Sequence, residues 1–192
     1  MTALYDFSYF PELTTARLVM DEITREDTSA MFRLFSDERV TRYNDASTFE
    51  DMSDAYRLIG FLQERFNARV GVRWAIRLKT QENTLIGTCG FNVWHRHNNC
   101  GIIGYDLLPA YWNQGITTEA ARAMLNFGFT KMALNRIEAD VMTGNEASMR
   151  VLMKLGFMRE GILRQRGYWK GQYHDLHLFA VLRAEYTTIS KT

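Results

Sequence analysis

Residues 102–132 read Ile102-Ile-Gly-Tyr-Asp-Leu-Leu-Pro-Ala-Tyr-Trp-Asn-Gln-Gly-Ile-Thr-Thr-Glu-Ala-Ala-Arg-Ala-Met-Leu-Asn-Phe-Gly-Phe-Thr-Lys-Met132. The run Ile102 to Leu108 is apolar and strand-like. Pro109 has no N–H to give a ladder and stops it. A turn carrying Tyr111 and Trp112 comes next. Asn113-Gln114-Gly115 then leads into a helix, with Thr117 and Thr118 as candidate caps. Beyond them Ala121, Met124, Leu125, Gly128 and Met132 recur at three and four residues, the helical period. The unit is strand, glycine-bearing turn, helix.

That unit has a chemical use. The first N–H groups of a helix lack intrahelical partners, and the dipole makes that end positive. Gly115 has no Cβ, so the chain can approach a bulky anion closely. The turn can therefore cradle phosphate oxygens. No lysine follows the glycine as in a P-loop, and no Gly-x-Gly-x-x-Gly is present. Ordinary turn geometry is the competing explanation.

Composition narrows the classes. A chain of 192 residues suits one domain with a substantial core. Basic and acidic residues nearly balance, 23 against 22, so attraction to a nucleic-acid backbone is not expected. No run of 18 apolar residues occurs, so no membrane helix is expected. The first residues lack the pattern of a signal peptide. Cys89 and Cys100 lie in apolar segments and read as reduced core thiols, which makes the cytoplasm the expected compartment.

Outward from the central unit, the pattern is mixed. Residues 1–12 read as an N-terminal arm, 13–185 as one domain and 186–192 as a C-terminal tail. Arg17 to Ile23 alternates as a strand. Thr24 with Asp27 resembles a capping box ahead of a helix faced by Ala30, Met31, Leu34 and Phe35. Val40 to Asp45 reads as a connector. Thr48 with Asp51 opens a second helix, buried through Met52, Ala55, Tyr56, Ile59, Leu62, Gln63 and Phe66. Then the period changes to two: Val72 to Lys79, Leu85 to Val93 and Cys100 to Leu108 form an antiparallel meander. After the central helix come a strand, Asn135 to Met142, and a helix from Asn145 to Leu155, closed by Gly156. Phe157 to Gln165 and Tyr173 to Leu182 make a last hairpin. The expectation is one α/β (α+β) domain, a mixed, mostly antiparallel sheet of about seven strands flanked by helices.

A second stretch sharpens this: Asn145-Glu-Ala-Ser-Met-Arg-Val-Leu-Met-Lys-Leu-Gly-Phe157. An asparagine-capped helix ending in Lys-Leu-Gly-Phe, after a Tyr-Trp-x-x-Gly-x-x-Thr-Glu-Ala turn, resembles the GNAT acyltransferase superfamily. Leu13-Thr-Thr-Ala-Arg-Leu18, Ser36-Asp-Glu-Arg-Val-Thr-Arg-Tyr43, Ile103-Gly-Tyr105, Glu160-Gly161 and Gly171-Gln-Tyr-His-Asp175 resemble its ribosomal-protein N-acetyltransferase (Rim-type) branch. The resemblance spans about residues 13–183. It implies an acetyl-CoA-dependent N-acetyltransferase, with acetyl-CoA as co-substrate in a cleft between splayed strands, here Cys100–Leu108 and Asn135–Met142.

By the same resemblance, pantetheine pairs near Asp106, Leu107 and Leu108. The diphosphate sits on the amides of Gln114, Gly115, Ile116, Thr117 and Thr118. Asn145 and Ser148 lie near the thioester, and Lys154 lies on the adenosine side, where solvated surface is its competing role. Two departures stand out. Thr117 replaces the usual glycine or alanine, and its branched Cβ narrows the approach. Leu152 stands where many members carry a tyrosine that protonates the departing thiolate. Ser148 matches the serine proposed for that work in the Rim-type branch. A glutamate sometimes proposed as base falls on Gly167, which leaves the base open among Asp106, Glu38 and Asp175.

The chemistry constrains the acceptor. Deprotonating an α-amine of pKa near 8 at pH 7 costs about 1.4 kcal/mol, and a lysine amine at about 10.4 costs roughly 4.6 kcal/mol. A site without an obvious carboxylate base suits the α-amine of a protein N-terminus. Small-molecule amines (an antibiotic, a polyamine or an amino acid) and a non-catalytic coenzyme-binding regulator are the alternatives. Trp94, Tyr168 and Trp169 could line an acceptor pocket or simply pack. His95 and His97 lack a third ligand at metal spacing, and His174 and His177, three apart on an expected strand, face opposite ways, so no metal is expected. Neither nucleic acid nor membrane is an expected partner, and a homodimer is left open.

Overall fold

The computed structural model describes residues 5–81 and 84–189, so part of the expected loop between the second and third strands lies outside the described residues. The sheet contains β1 (Leu13–Thr14), β2 (Leu18–Glu22), β3 (Val72–Leu78), β4 (Leu85–His95), β5 (Cys100–Leu107), β6 (Arg136–Met142), β7 (Met158–Trp169) and β8 (Gln172–Leu182). Their order is β1-β2-β3-β4-β5-β6-β8-β7, eight strands among the described residues. The strand beyond the expected seven is β1, whose two residues pair with β2 at Met20 and Val19. Two residues carry too little pattern to be read as a strand. Every pairing is antiparallel except β5 with β6.

Helices α1 (Thr28–Phe35), α2 (Glu38–Thr41) and α3 (Met52–Asn67) precede the meander. Helices α4 (Ile116–Thr130), α5 (Glu146–Lys154) and α6 (Arg183–Ile189) come after it. The expected connector after α1 begins as a helical turn, because Asp37 caps it by accepting from the Arg39 amide at 2.9 Å. The cap of α3 is Asp51, accepting from the Ser53 amide at 2.7 Å, rather than Thr48. Thr48 instead pairs its hydroxyl with Thr41 at 2.7 Å. Met52 and Tyr56 are 42% and 46% exposed, against the expectation that they are buried. The Thr24–Asp27 capping box is present. The Asp27 carboxylate also receives the Arg77 guanidinium at 2.8 Å, tying the box to β3.

The larger core lies where α4 meets the sheet. Phe91 of β4 is 1% exposed there. A Cβ on Gly128 of α4 would lie 2.5 Å from the Phe91 ring, and one on Gly101 of β5 would lie 2.7 Å from it. The two glycines therefore form the socket that lets α4 sit close to the sheet. A smaller core joins α1 and α3 to Ala75, Leu85 and Leu108. The arm is not detached: Phe7 is buried, 5.9 Å from the Phe66 ring. The expected tail boundary at 185/186 falls inside α6, whose Tyr186 ring lies 4.8 Å from that of Phe129.

The sheet opens at one level. Asn92 is an extra residue in β4, because Phe91 opposes Ile103 and Val93 opposes Ile102. A bulge increases local twist. At the same level β6 leaves β5: their parallel pairing covers only Cys100 to Ile102 against Arg136 to Glu138. From Ile103 onward β5 pairs with no strand on that side among the described residues, and a notch opens.

Candidate active site

The backbone lining the notch is set by register. The Leu108 amide donates to Ile86 O at 2.9 Å, on the β4 side. Backbone groups alternate sides along a strand. Asp106 and Gly104 therefore also turn toward β4, while Ile103, Tyr105 and Leu107 turn toward the notch. Of the three residues expected to pair with a pantetheine arm, only Leu107 presents its amide there. Its carbonyl already accepts from Trp112 Nε1 at 2.7 Å. Tyr105 has the right parity, and sequence reading missed it for want of the register.

The glycine turn lies at the end of the notch. Gly115 takes φ +75°, and Asn113 takes φ +60°. Gly115, in a left-handed conformation, is the cap of α4, which starts at Ile116. Thr117 and Thr118 are inside the first turn and are not caps, contrary to expectation. Their amides, with that of Ile116, precede the first intrahelical bond, Glu119 N to Gly115 O at 3.0 Å. This is a set of convergent donors at the positive end of a 15-residue helix. Gln114 is exposed and folds its side chain onto Ala110 O at 2.9 Å.

A carboxylate in the first turn would repel a bound anion, and Glu119 is such a residue. It is neutralised by Arg17, whose Nε lies 2.6 Å from Glu119 Oε2 and whose Nη1 donates to Gln114 O at 3.0 Å. Arg17 Nη2 lies 3.6 Å from where a Gly115 Cβ would stand. The guanidinium thus borders the cradle, a placement that only contacts across 102 residues of chain reveal.

From Gly115 a groove of about 620 Å³ runs along α4, past Thr118, Arg122, Asn126 and Tyr186, to Lys154 on α5. Its lining includes two cations, Arg122 and Lys154, and the carboxylate of Glu119. Lys154 lines the groove. Arg122 gives no signal in the sequence, where it is one charge on an amphipathic helix.

On the opposite wall of the notch stands the first turn of α5. Asn145 caps it, its Oδ1 accepting from the Ser148 amide at 3.2 Å. Ser148 Oγ lies 2.8 Å from the Tyr105 hydroxyl, which also lies 3.3 Å from Ser148 O. Burial pushes the Tyr105 hydroxyl up to about 12, against a smaller downward pull from Ser148 and with Asp106 adding to the rise. The phenol is therefore neutral at physiological pH. Leu152, one turn further on, is fully buried.

The candidate bases divide. The Asp106 carboxylate pairs with the Arg73 guanidinium and accepts from Asn44 Nδ2 at 2.7 Å. Asp175 accepts from the Gln165 amide at 2.7 Å. Asp140, on the splayed part of β6, is exposed. Desolvation pushes its carboxyl up, Arg166 offsets part of that, and Glu138 adds to it. Trp94 packs against Phe7 at 5.0 Å, Trp169 stacks on His174 at 4.4 Å, and Tyr168 is 64% exposed. Among the described residues no group of three or more His, Cys, Asp or Glu is placed to hold a metal, and no helix is long and apolar enough to cross a membrane.

Two strands that part after three paired residues, a left-handed glycine at a helix start beneath them, and a capped second helix across the gap form one constellation. The model of the acetyltransferase (GNAT) domain family matches residues 17–158. The chain belongs to the GNAT acetyltransferase family. It is similar to the uncharacterized N-acetyltransferase YoaA of Bacillus subtilis, 37% identical over 91% of this chain and 98% of that one. It is 25% identical to the spermidine N(1)-acetyltransferase of Escherichia coli K12 over 88% of each chain. The apo structure of RimL, a ribosomal L7/L12 alpha-N-protein acetyltransferase, shares its fold at a TM-score of 0.81 and 18% identity, covering 95% of this chain and 99% of RimL. The protein is an acyltransferase that moves an acetyl group from acetyl-CoA to nitrogen.

Proposed function

We propose that the acceptor is the α-amine of a protein N-terminus, and that the notch holds the acetyl-CoA thioester beside Ser148. In this reading the diphosphate lies on the amides of Gln114 to Thr118. The pantetheine arm runs along the notch-facing backbone of Tyr105 and Leu107, and the nucleotide lies against Arg122 and Lys154. Asn145 holds the helix turn that carries Ser148. A strand amide, that of Leu107, is available to a tetrahedral oxyanion.

One observation carries the choice of acceptor: Asp106, the carboxylate of splayed β5, is held by Arg73 and Asn44. Its oxygens are engaged in a buried ion pair and a hydrogen bond, not turned to an incoming amine. An acceptor that needs little help to lose its proton fits such a site. An α-amine needs about 1.4 kcal/mol at pH 7, some 3 kcal/mol less than a lysine-like amine. The free, buried thiols of Cys89 and Cys100 fit a reducing, cytoplasmic setting.

A second reading rests on β6. Asp140, beside Glu138, gives that rim of the notch negative charge, and its raised pKa makes it a stronger base. These features suit a polyamine, the acceptor named for the Escherichia coli relative. Thiol release from acetyl-CoA separates the two. The panel is peptides with a free N-terminus, peptides with a blocked N-terminus and one lysine, and spermidine. The first reading expects the free α-amine peptides to lead in kcat/KM by about a hundredfold, the ratio that some 3 kcal/mol of barrier sets. Spermidine in the lead, with loss of that activity in Asp140→Asn, would install the second reading.

A further inference from the structure

We propose that Asn44 is a positioning residue for the acceptor: it ties segment 41–44, which crosses the notch, to strand β5, and so fixes where an incoming amine stands. This rests on the proposed placement of the thioester in the notch, and not on which amine is used. Tyr43 and Asn44 are neighbours in the chain and touch opposite lips of the notch. Asn44 Nδ2 donates to Asp106 Oδ1 at 2.7 Å, on β5 beyond its last pair with β6. The Tyr43 ring lies 3.9 Å from where a Gly144 Cβ would stand, and Gly144 is in the turn between β6 and α5.

The crossing lies on the face of the sheet by which an acceptor arrives. Side chains alternate along a strand. Tyr105 packs into the larger core, with Met124 of α4 and Leu152 of α5. Those helices cover that face. Asp106 turns to the other face, where it opposes Thr88, and Thr88 opposes Ala75 of the smaller core. An amine approaching from the side away from α4 and α5 therefore passes segment 41–44.

The anchor of that segment is itself fixed. Asp106 Oδ2 pairs with the Arg73 guanidinium. Arg73 also donates from Nε to Thr88 Oγ1 at 3.0 Å and from Nη1 to Asn92 Oδ1 at 2.7 Å. Asn92 is the extra residue of the β4 bulge. One guanidinium thus joins β3, β4 and β5 at the level where the sheet opens. The other Asp106 oxygen passes that position on to Asn44, and its charge strengthens the bond. A second tie reaches the same segment from the hairpin of β7 and β8: Lys170 Nζ donates to Thr41 O at 2.6 Å, across 129 residues of chain. Asp106 acts here without moving a proton. Attack on a thioester is sensitive to placement, and a misplacement of about 1 Å can cost about a hundredfold in rate.

The test is steady-state kinetics with both substrates varied, using whichever amine leads the panel, alongside calorimetry with acetyl-CoA. The proteins are wild type, Asn44→Ala, Asn44→Asp, Asn44→Gln and Lys170→Met. Asn44→Ala should raise KM for the acceptor about tenfold, the effect of one lost hydrogen bond to a charged group. Its affinity for acetyl-CoA should stay within about twofold of wild type. Asn44→Asp keeps the shape, loses the donor and faces a carboxylate, so it should do at least as much harm. Asn44→Gln keeps the donor and should recover part of the loss. Lys170→Met frees the other end and should give the same split between the two substrates. An unchanged acceptor KM in Asn44→Ala and Asn44→Asp overturns the proposal, as does a loss of acetyl-CoA affinity as large as the rise in acceptor KM. Should the Asn44 variants fail to fold, Lys170→Met, altered at an exposed residue, carries the test alone, and an unchanged acceptor KM there overturns the proposal. Wild type that binds no acetyl-CoA would remove the thioester placement, and this proposal with it. A leading amine other than the α-amine would overturn only the choice of acceptor.

Discussion

Arg17 Nε and Glu119 Oε2 meet at 2.6 Å beside the glycine turn. The pair joins the turn after β1 to the first turn of α4, and Glu119 Oε1 also accepts from Thr15 Oγ1 at 2.6 Å and from the Arg17 amide at 2.9 Å. The contact fixes the edge of the sheet to the helix whose amides form the cradle. It also cancels a negative charge at the helix start where the diphosphate is proposed to lie.

Removing Arg17 should therefore harm cofactor binding more than folding. Arg17→Ala leaves Glu119 uncompensated beside the proposed diphosphate site. Half the arginine side chain is exposed, so its stability contribution is about 1 kcal/mol or less. Calorimetry should show acetyl-CoA affinity falling about tenfold. Glu119→Gln in the Arg17→Ala background should recover part of it. Unchanged affinity in Arg17→Ala would separate the guanidinium from the phosphate site.

The same carboxylate sets a pH dependence. Burial pushes Glu119 up, but the hydrogen bonds from Thr15 and Arg17, with the Arg17 charge, together hold it below its ordinary 4.5. A carboxyl depressed in the folded state adds stability that is present above its unfolded pKa and lost as pH falls through the lower folded value. Thermal unfolding of Glu119→Gln should thus differ most from wild type at neutral pH, and the curves should converge well below pH 4.5. Curves that run parallel through the acid range would contradict this.

Gly115 combines two demands. Its φ of +75° suits glycine, and a non-glycine residue there costs roughly 1–2 kcal/mol. A Cβ would find open space apart from Arg17, so Gly115→Ala should fold with a modestly lowered Tm. Gly115→Val should fold less stably and bind acetyl-CoA at least tenfold more weakly, because the branch stands over the amides. Equal affinity in both variants and wild type, measured by calorimetry, would dismiss the cradle.

Gly128 should be sensitive for a steric reason. A methyl there lies 2.5 Å from the Phe91 ring, and Phe91 is buried and also abuts Gly101. Helix propensity favours alanine over glycine by about 1 kcal/mol, but overpacking costs typically 1–3 kcal/mol. Gly128→Ala should therefore leave the protein no more stable, and Gly128→Val clearly less so, in urea unfolding. Adding Phe91→Leu should relieve part of the Gly128→Val loss. A strict sum of the two single effects would argue against direct contact.

The meander, the central helix and the Asn145-capped helix are legible in the sequence because each is a local pattern: period two, period 3.6, a cap, a stop. Two helix starts slip for equally local reasons. Thr117 and Thr118 resemble caps, but a left-handed Gly115 does that work. Asp51 outcompetes Thr48 because its carboxylate reaches the Ser53 amide. Met52 and Tyr56 lie at helical spacing from Ile59, yet they fall at the solvent rim of α3. Asp106 and Leu108 lie on the strand that borders the notch, but their amides face β4, a matter of parity that only pairing to a neighbour can set.

The residues by themselves determined the order of seven strands and the four longer helices, the glycine at the head of α4 and the capped turn that carries Ser148, because these depend on neighbours within a few positions. The tertiary structure alone decided that β6 leaves β5 after Ile102, that Arg17 stands beside Gly115, that Asp106 is held by Arg73, and that Tyr105 meets Ser148. Each of those is a contact between distant segments. Its existence depends on register, twist and packing of the whole sheet, which no single stretch of chain contains.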